Sequence, residues 1–205
     1  MKTLLLICAF LNNAFASTDD YVPQTGDVIA HTSTSSQSKM IQVGTMSKYS
    51  HVGVVFVGRD GAYVFESIAT TRMTPLDEFI DRGKDDKYTI LRYDQDGDGT
   101  AEGLTDEQKN GLWKSRRPYL GKRYDLAFMW SDDKMYCSES TWKIFRDIGI
   151  SLSETRRIRS FNIWIPKIRR VMESRWGGPV NMDEPVVAPK DVVKSDALVV
   201  VYDNY

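Results

Sequence analysis

The stretch Tyr49-Ser50-His51-Val52-Gly53-Val54-Val55-Phe56-Val57, followed by Gly58-Arg59-Asp60-Gly61 and Ala62-Tyr63-Val64-Phe65-Glu66-Ser67-Ile68, decides how the chain is read. Two runs rich in β-branched and aromatic residues, separated by a glycine-flanked turn, predict a β-hairpin. Directly opposed residues of an antiparallel pair share a face, and a two-residue turn makes their numbers sum to an odd value. Odd positions on the first strand therefore oppose even positions on the second, which puts His51 and Glu66 on one face. A turn at Arg59-Asp60 sets Glu66 opposite Gly53 and diagonal to His51, with room left by the missing side chain. A turn at Asp60-Gly61 puts the two further apart. A carboxylate beside an imidazole fixes its tautomer and stabilises its charged form, the third role in a triad of nucleophile, base and orienter. The plainer alternatives are a structural histidine at a strand end and an exposed acid.

Outward from the hairpin, a strand is expected over 28–31, and the Ser/Thr cluster 32–36 offers N-caps for a helix over 37–46 with Met40, Ile41, Val43 and Gly44 inward. Thr74-Pro75-Leu76-Asp77 has Thr at the N-cap, Pro at N1 and an acid at N3, which predicts a short helix to about Arg82 that stops at Gly83. A strand follows over 87–93. Thr105-Asp106-Glu107-Gln108 is a capping box, opening a helix that Pro118 ends before Gly121. The segment 156–176 reads as partly helical and restarted by Pro166, and 197–202 as a last strand. Helices and hairpin strands without regular βαβ alternation give an α+β fold.

Between these lies Asp133-Lys134-Met135-Tyr136-Cys137-Ser138-Glu139-Ser140-Thr141-Trp142. A helix over 137–148, closed by Gly149, would carry Trp142, Phe145 and Ile148 on its apolar face and turn Lys143, Arg146 and Asp147 away. Cys137 opens that helix, where first-turn N–H groups and the helix dipole stabilise a thiolate, the nucleophilic form. A small buried hydrophobe is the other reading of a lone cysteine.

Met1 and Lys2 precede an apolar run over 3–11, and Ala14-Phe15-Ala16 fits the small-x-small rule for cleavage after Ala16. Residues 1–16 are thus expected to be a signal peptide, the product periplasmic or secreted, and 17–205 a single domain. The run is too short to span a bilayer, and no later stretch is long enough. Leu5-Leu6-Ile7-Cys8 faintly resembles a lipoprotein site but lies too near the start. If Cys8 leaves with the leader, Cys137 has no partner in a compartment where cysteines are normally paired, and an unpaired thiol there points to chemistry.

A net charge of -1 argues against a nucleic-acid binder, which needs a basic excess. The basic run Arg156, Arg157, Arg159, Lys167, Arg169, Arg170 and Arg175 fits either an anionic glycan, lipid headgroup or envelope polymer, or a solvated helix face. With two histidines in the chain, His51 is the better base, because it stands where a serine-bearing loop enters an apolar strand, while His31 ends a strand.

Ser50-His51-Val52-Gly53, then Tyr63-Val64-Phe65-Glu66, then Gly121-Lys122-Arg123-Tyr124-Asp125, then Tyr136-Cys137-Ser138-Glu139, in that order, resemble the YiiX-like permuted papain-fold amidases, relatives of the NlpC-type cell-wall peptidases. Gly26-Asp27 and Ser36-Gln37-Ser38-Lys39 are similar to that group too, so the resemblance covers most of the chain from about Pro23 to Pro189. The histidine and acid precede the cysteine, which is the permuted order. The resemblance implies a papain-like antiparallel sheet or barrel packed against helices. It makes Cys137 the nucleophile, His51 the general base and then acid, Glu66 the orienting residue, and Tyr49 an oxyanion donor alongside the Cys137 N–H. Tyr49 read without it is equally an aromatic core residue. The family's wider relatives cleave peptides or amides, or cleave and transfer acyl groups on lipids.

Asp94-Gln95-Asp96-Gly97-Asp98-Gly99 places carboxylates at alternate positions before a glycine, as a calcium loop does. Position 12 is Thr105, so Glu102 or Asp106 would have to stand in; the alternative is a solvated acidic turn. The chain thus reads as an exported cysteine hydrolase acting on a peptide, amide or lipid of the cell envelope, with no cofactor required; Asp94, Asp96 and Asp98 are either a structural calcium loop or a solvated acidic turn. Its rivals are a non-catalytic envelope-binding module, a lipid acyl hydrolase or acyltransferase, and a zinc protein with Cys137, His51 and Glu66 as ligands. Oligomeric state is not legible.

Overall fold

The computed structural model describes residues 21–205; the expected leader at 1–16 and Cys8 lie outside the described residues. A six-stranded antiparallel sheet dominates, formed by β1 (Val28–Ser33), β2 (His51–Val57), β3 (Ala62–Ser67), β4 (Thr71–Pro75), β5 (Gly83–Tyr93) and β10 (Leu198–Asp203), in the order β10-β5-β1-β2-β3-β4. The fold class is α+β, a large antiparallel sheet packed against helices.

The hairpin forms in the first of the two registers. Val54 pairs with Phe65 and Val57 with Ala62, and Gly58 N–H bonds the Gly61 carbonyl at 2.8 Å around Arg59-Asp60. Continued, this register sets Gly53 opposite Glu66. The glycine is required by the partner strand: a Cβ at 53 would lie 2.4 Å from Val64 Cγ1 and 2.8 Å from the Phe65 carbonyl oxygen.

Alternation along β2 and β3 splits the core into two layers. Val52, Val54, Phe56 and Phe65 face a cluster that includes Cys137, Ile144 and Phe145 of α4 (Cys137–Arg146). Val55 and Val64 face another with Phe79 of α2 (Leu76–Asp81) and Ile90. Helix α3 (Asp106–Ser115) opens on the expected capping box, Thr105 Oγ1 accepting from Gln108 N–H and Gln108 Oε1 from Thr105 N–H.

Six expectations are corrected. Thr74 and Pro75 end strand β4, and Pro75 is itself the cap of α2, because pairing with β3 extends the chain as far as Pro75. Helix α1 (Ser38–Thr45) is capped by Gln37 with no side-chain bond from the preceding Ser/Thr cluster. Its Met40, Ile41 and Val43 are only half-buried. Strand β5 begins at Gly83, not at 87. Helix α4 ends at Arg146, and its Lys143 is buried, held by Glu139 at 2.8 Å and Asp132 at 2.7 Å. Short pairs that composition does not announce complete the fold: β6 (Arg123–Tyr124) with β7 (Lys134–Met135), and β8 (Arg156–Arg157) with β9 (Pro185–Val186). Helices α5 (Pro166–Trp176) and α6 (Pro189–Val193) close the far side.

Candidate active site

His51 stands at the N-terminal end of β2, between Phe79 of one layer and Cys137 of the other. Its Nε2 lies 2.6 Å from Glu66 Oε2, the diagonal contact that the hairpin register sets up. Glu66 is fully buried, and its other oxygen takes the Thr74 hydroxyl at 2.5 Å and the Arg82 guanidinium at 2.5 Å. Burial would push this carboxyl up, but His51, Thr74 and Arg82 together hold it down at about 2. Thr74 and Arg82 were invisible as site residues in the sequence because both read as the ends of a helix.

The remaining imidazole nitrogen, Nδ1, is left for Cys137, whose sulfur is in hydrogen-bond contact with the ring. Backbone N–H groups of Val52 and Ser138 also reach the sulfur. Burial opposes ionisation on both sides. On the imidazole the thiolate and Glu66 outweigh it, raising His51 to about 9; on the sulfur His51 and the two N–H groups outweigh it, lowering Cys137. Each partner thus favours the charged form of the other, a thiolate and an imidazolium in series with a carboxylate. Cys137 is free, and although only 2% exposed it lines a cavity.

His31 is excluded as the base. It pairs across β1 and β2 with His51, stacks on Phe79 at 4.4 Å, and has no partner on either ring nitrogen. Burial, then His51 and Arg82, hold it neutral down to about 2.

The expected oxyanion tyrosine is committed elsewhere. Tyr49 bonds Thr89 Oγ1 at 2.8 Å, and its ring meets Tyr205 edge-on at 5.6 Å. The tyrosine at the sulfur is Tyr124, whose hydroxyl contacts both Cys137 and the Gln37 side chain. Burial, then the thiolate charge, keep that hydroxyl protonated far above its ordinary range. The β6–β7 pair puts it there by setting Tyr124 beside Met135, two residues before Cys137. Gln37 Oε1 is buried with no partner beside it.

Tyr124 divides two spaces. On one side a cleft of about 420 Å³ has a mixed lining, Ser33, Gln37, Ser50, His51 and Arg123 together with Ile41, Ile68 and Leu126. On the other, a cavity of about 90 Å³ has Cys137 in its wall among Met40, Phe128, Ile163, Ile168, Met172 and Val187.

Order in the chain, histidine and acid before cysteine, is now matched by geometry, and the family pattern described as permuted papain-like amidase enzyme, YaeF/YiiX, C92, matches residues 22–202. The chain belongs to this family. It is 37% identical over 204 residues to the uncharacterized protein YiiX of Escherichia coli (strain K12), covering 98% of this chain and 96% of that one. It also superposes on the crystal structure of YiiX from Escherichia coli O157:H7, described as a metalloprotein, with a TM-score of 0.83, 36% identity, and coverage of 90% of this chain and 99% of that one. Membership carries the fold, a permuted papain-like architecture, and a cysteine hydrolase of the amidase type in general terms.

As for metals, Asp94, Asp96, Asp98 and Glu102 each bring one oxygen to within 4.8 Å of the others. Of the two acids that could complete the loop pattern, Glu102 is the one brought to the three aspartates, while Asp106 is turned to solvent beside Lys109. Asp94 is buried and already accepts N–H bonds from Gly97 and Gly99. Cys137, His51 and Glu66 form a chain in series rather than a cluster around a point, which is not a zinc-ligand arrangement.

Proposed function

We propose that the protein is an exported cysteine hydrolase, a single domain over 17–205, that cleaves an amide or ester whose acyl group is apolar where it meets the carbonyl. The observation that carries this reading is the buried series of Cys137, His51 and Glu66, with Cys137 in the wall of an apolar cavity and His51 in that of a wider cleft of mixed lining.

In the proposed mechanism the Cys137 thiolate attacks the carbonyl carbon, forming a C–S bond while the carbonyl oxygen takes the negative charge. The Tyr124 hydroxyl and the Cys137 N–H donate to that oxygen. His51 passes its proton to the departing nitrogen or oxygen as the C–N or C–O bond breaks, leaving a thioester. A water entering from the cleft gives a proton to His51 and adds to the thioester; the C–S bond breaks and the acid leaves. Glu66 stays ionised throughout and fixes the imidazole. The acyl chain lies among Met40, Ile163, Ile168 and Met172, and the leaving group in the cleft beside Arg123. The four carboxylates of the 94–102 loop, all hard oxygen donors, suit a structural calcium away from the chemistry.

The test is mass spectrometry of the protein after brief exposure to nitrophenyl esters of acetate and of a long-chain fatty acid. The reading expects an acyl adduct on Cys137, stronger with the long chain and absent in Cys137→Ala. Iodoacetamide labelling of Cys137 without acylation by either ester would overturn it.

A further inference from the structure

The cavity beside Cys137 is surrounded by exposed apolar side chains. Met46, which follows Thr45 of the cavity wall, is 74% exposed; Trp164, which follows Ile163, is 60% exposed; Leu126 and Met129 flank Phe128 and are also exposed. Hydrogen bonds hold these segments together. Asn162 N–H donates to the Gly44 carbonyl at 2.8 Å, and the Arg175 guanidinium to the Leu126 carbonyl at 3.1 Å.

Charge on the same segment is one-sided. Helix α5 turns Ile168 and Met172 into the cavity and leaves Lys167, Arg169 and Arg170 in solvent. From 156 to 176 there are seven basic residues and one acid, Glu173, in a chain of net charge -1. Arg156, Arg159 and Arg169 pair with Asp191, Asp183 and Glu173, but among the described residues Lys167 and Arg170 have no acidic partner. A face that serves only solubility needs neither a single sign of charge nor an exposed tryptophan. Tryptophan prefers the boundary between water and hydrocarbon, and unpaired lysine and arginine are drawn to anionic headgroups.

We propose that the face running from Trp164 along α5 docks on an anionic lipid bilayer, so that the acyl chain of a substrate passes from the membrane to Cys137 without crossing water. The proposal rests on the acyl-chain reading above and adds a surface and a partner to it. No helix among the described residues is long and apolar enough to cross a membrane, so attachment here is peripheral.

Co-sedimentation of the full chain with phosphatidylcholine vesicles, with and without phosphatidylglycerol, tests it. Binding should require phosphatidylglycerol and weaken with salt, and Lys167→Gln and Arg170→Gln should each weaken it roughly fivefold. Trp164→Ala should weaken it as well. Iodoacetamide labelling of Cys137 should stay at the parent rate in all three, which shows that the site is intact. Equal binding to pure phosphatidylcholine, binding indifferent to all three substitutions, or retention on a soluble polyanion with none on vesicles would overturn the proposal. Cys137→Ala should bind vesicles like the parent. Failure of docking alone would leave ester acylation of Cys137 untouched, and failure of the acyl reading would remove acylation while vesicle binding persisted.

Discussion

His51 Nε2 and Glu66 Oε2 stand 2.6 Å apart with Glu66 shut off from water, and the other carboxylate oxygen accepts from both Thr74 and Arg82. A group so held cannot rotate away, so the imidazole it bonds cannot either. Glu66→Gln keeps the shape and removes the charge; we expect a loss of about a hundredfold or more in kcat, as for a disabled acid-base residue. Thr74→Val should cost about 1.5–3 kcal/mol of stability, the usual worth of a hydrogen bond to a charged group. Steady-state kinetics and urea unfolding read the two. Parent-like turnover in Glu66→Gln would remove Glu66 from the mechanism.

The thiolate at Cys137 depends on His51. With His51 raised to about 9 and the sulfur lowered by their contact, the ion pair is favoured below the pH at which His51 gives up its proton, near 9, and is lost once the sulfur is protonated. Alkylation of Cys137 by iodoacetamide should therefore already be fast well below about 8.5, the ordinary thiol range. In His51→Ala only the Val52 and Ser138 N–H groups oppose burial at the sulfur, and the rate should rise only at higher pH than in the parent. Identical pH profiles for the two proteins would contradict the ion pair.

His31 makes a different pH prediction. Its folded value near 2 lies below the ordinary 6.5, so the unfolded chain takes up a proton below 6.5 that the folded chain refuses. This group's contribution is complete above 6.5 and is lost as pH falls from there towards 2, at about 1.4 kcal/mol per pH unit. His31→Leu removes that loss. The difference in unfolding free energy between variant and parent should thus grow in the variant's favour as acidity increases, by chemical denaturation at a series of pH values. Parallel curves would show that position 31 is not held neutral. His31→Ala removes the same acid-dependent loss but also empties a site stacked on Phe79, so it should be less stable than the parent near neutral pH.

Lys143 and Glu139 form a buried ion pair, and burial pushes Glu139 up to about 7 even so. Removing one partner strands the other: Lys143→Met should cost roughly 3–5 kcal/mol. Adding Glu139→Gln should recover much of it. Because Glu139 also accepts N–H bonds from Ser131 and Tyr136, it braces the approach to Cys137. A double variant no better than the single would mean the lysine acts only through packing.

If the 94–102 loop binds calcium, millimolar calcium should raise the melting temperature and Asp96→Asn should abolish the shift. A melting temperature indifferent to calcium in the parent would leave the loop an acidic turn.

Local signals carried far in this chain. The Thr105 capping box, the proline restart of α5 and the hairpin all form where their residues call for them, since each is decided by groups a few positions apart. The family resemblance rested on the same short motifs and holds. Site reading failed wherever a local signal met a long-range partner. Thr74 looks like a helix cap until β3 pairs with it, after which its hydroxyl turns to Glu66. Lys143 looks solvent-facing until Glu139 and Asp132 converge on it. Tyr49 and Tyr124 are indistinguishable as phenols, and only the parallel pairing of Arg123-Tyr124 with Lys134-Met135 says which one meets the sulfur.

By itself the sequence determined the hairpin parity that places His51 and Glu66 on one face, and the helix start that presents Cys137, because periodicity and capping act over a few residues. The tertiary structure alone decided which of two registers forms, which tyrosine faces the thiolate, and that an apolar cavity and a wider cleft of mixed lining meet at Tyr124. The last two outcomes depend on contacts between segments up to about 150 residues apart, whose free energy comes from packing and desolvation and leaves no periodic trace in either segment.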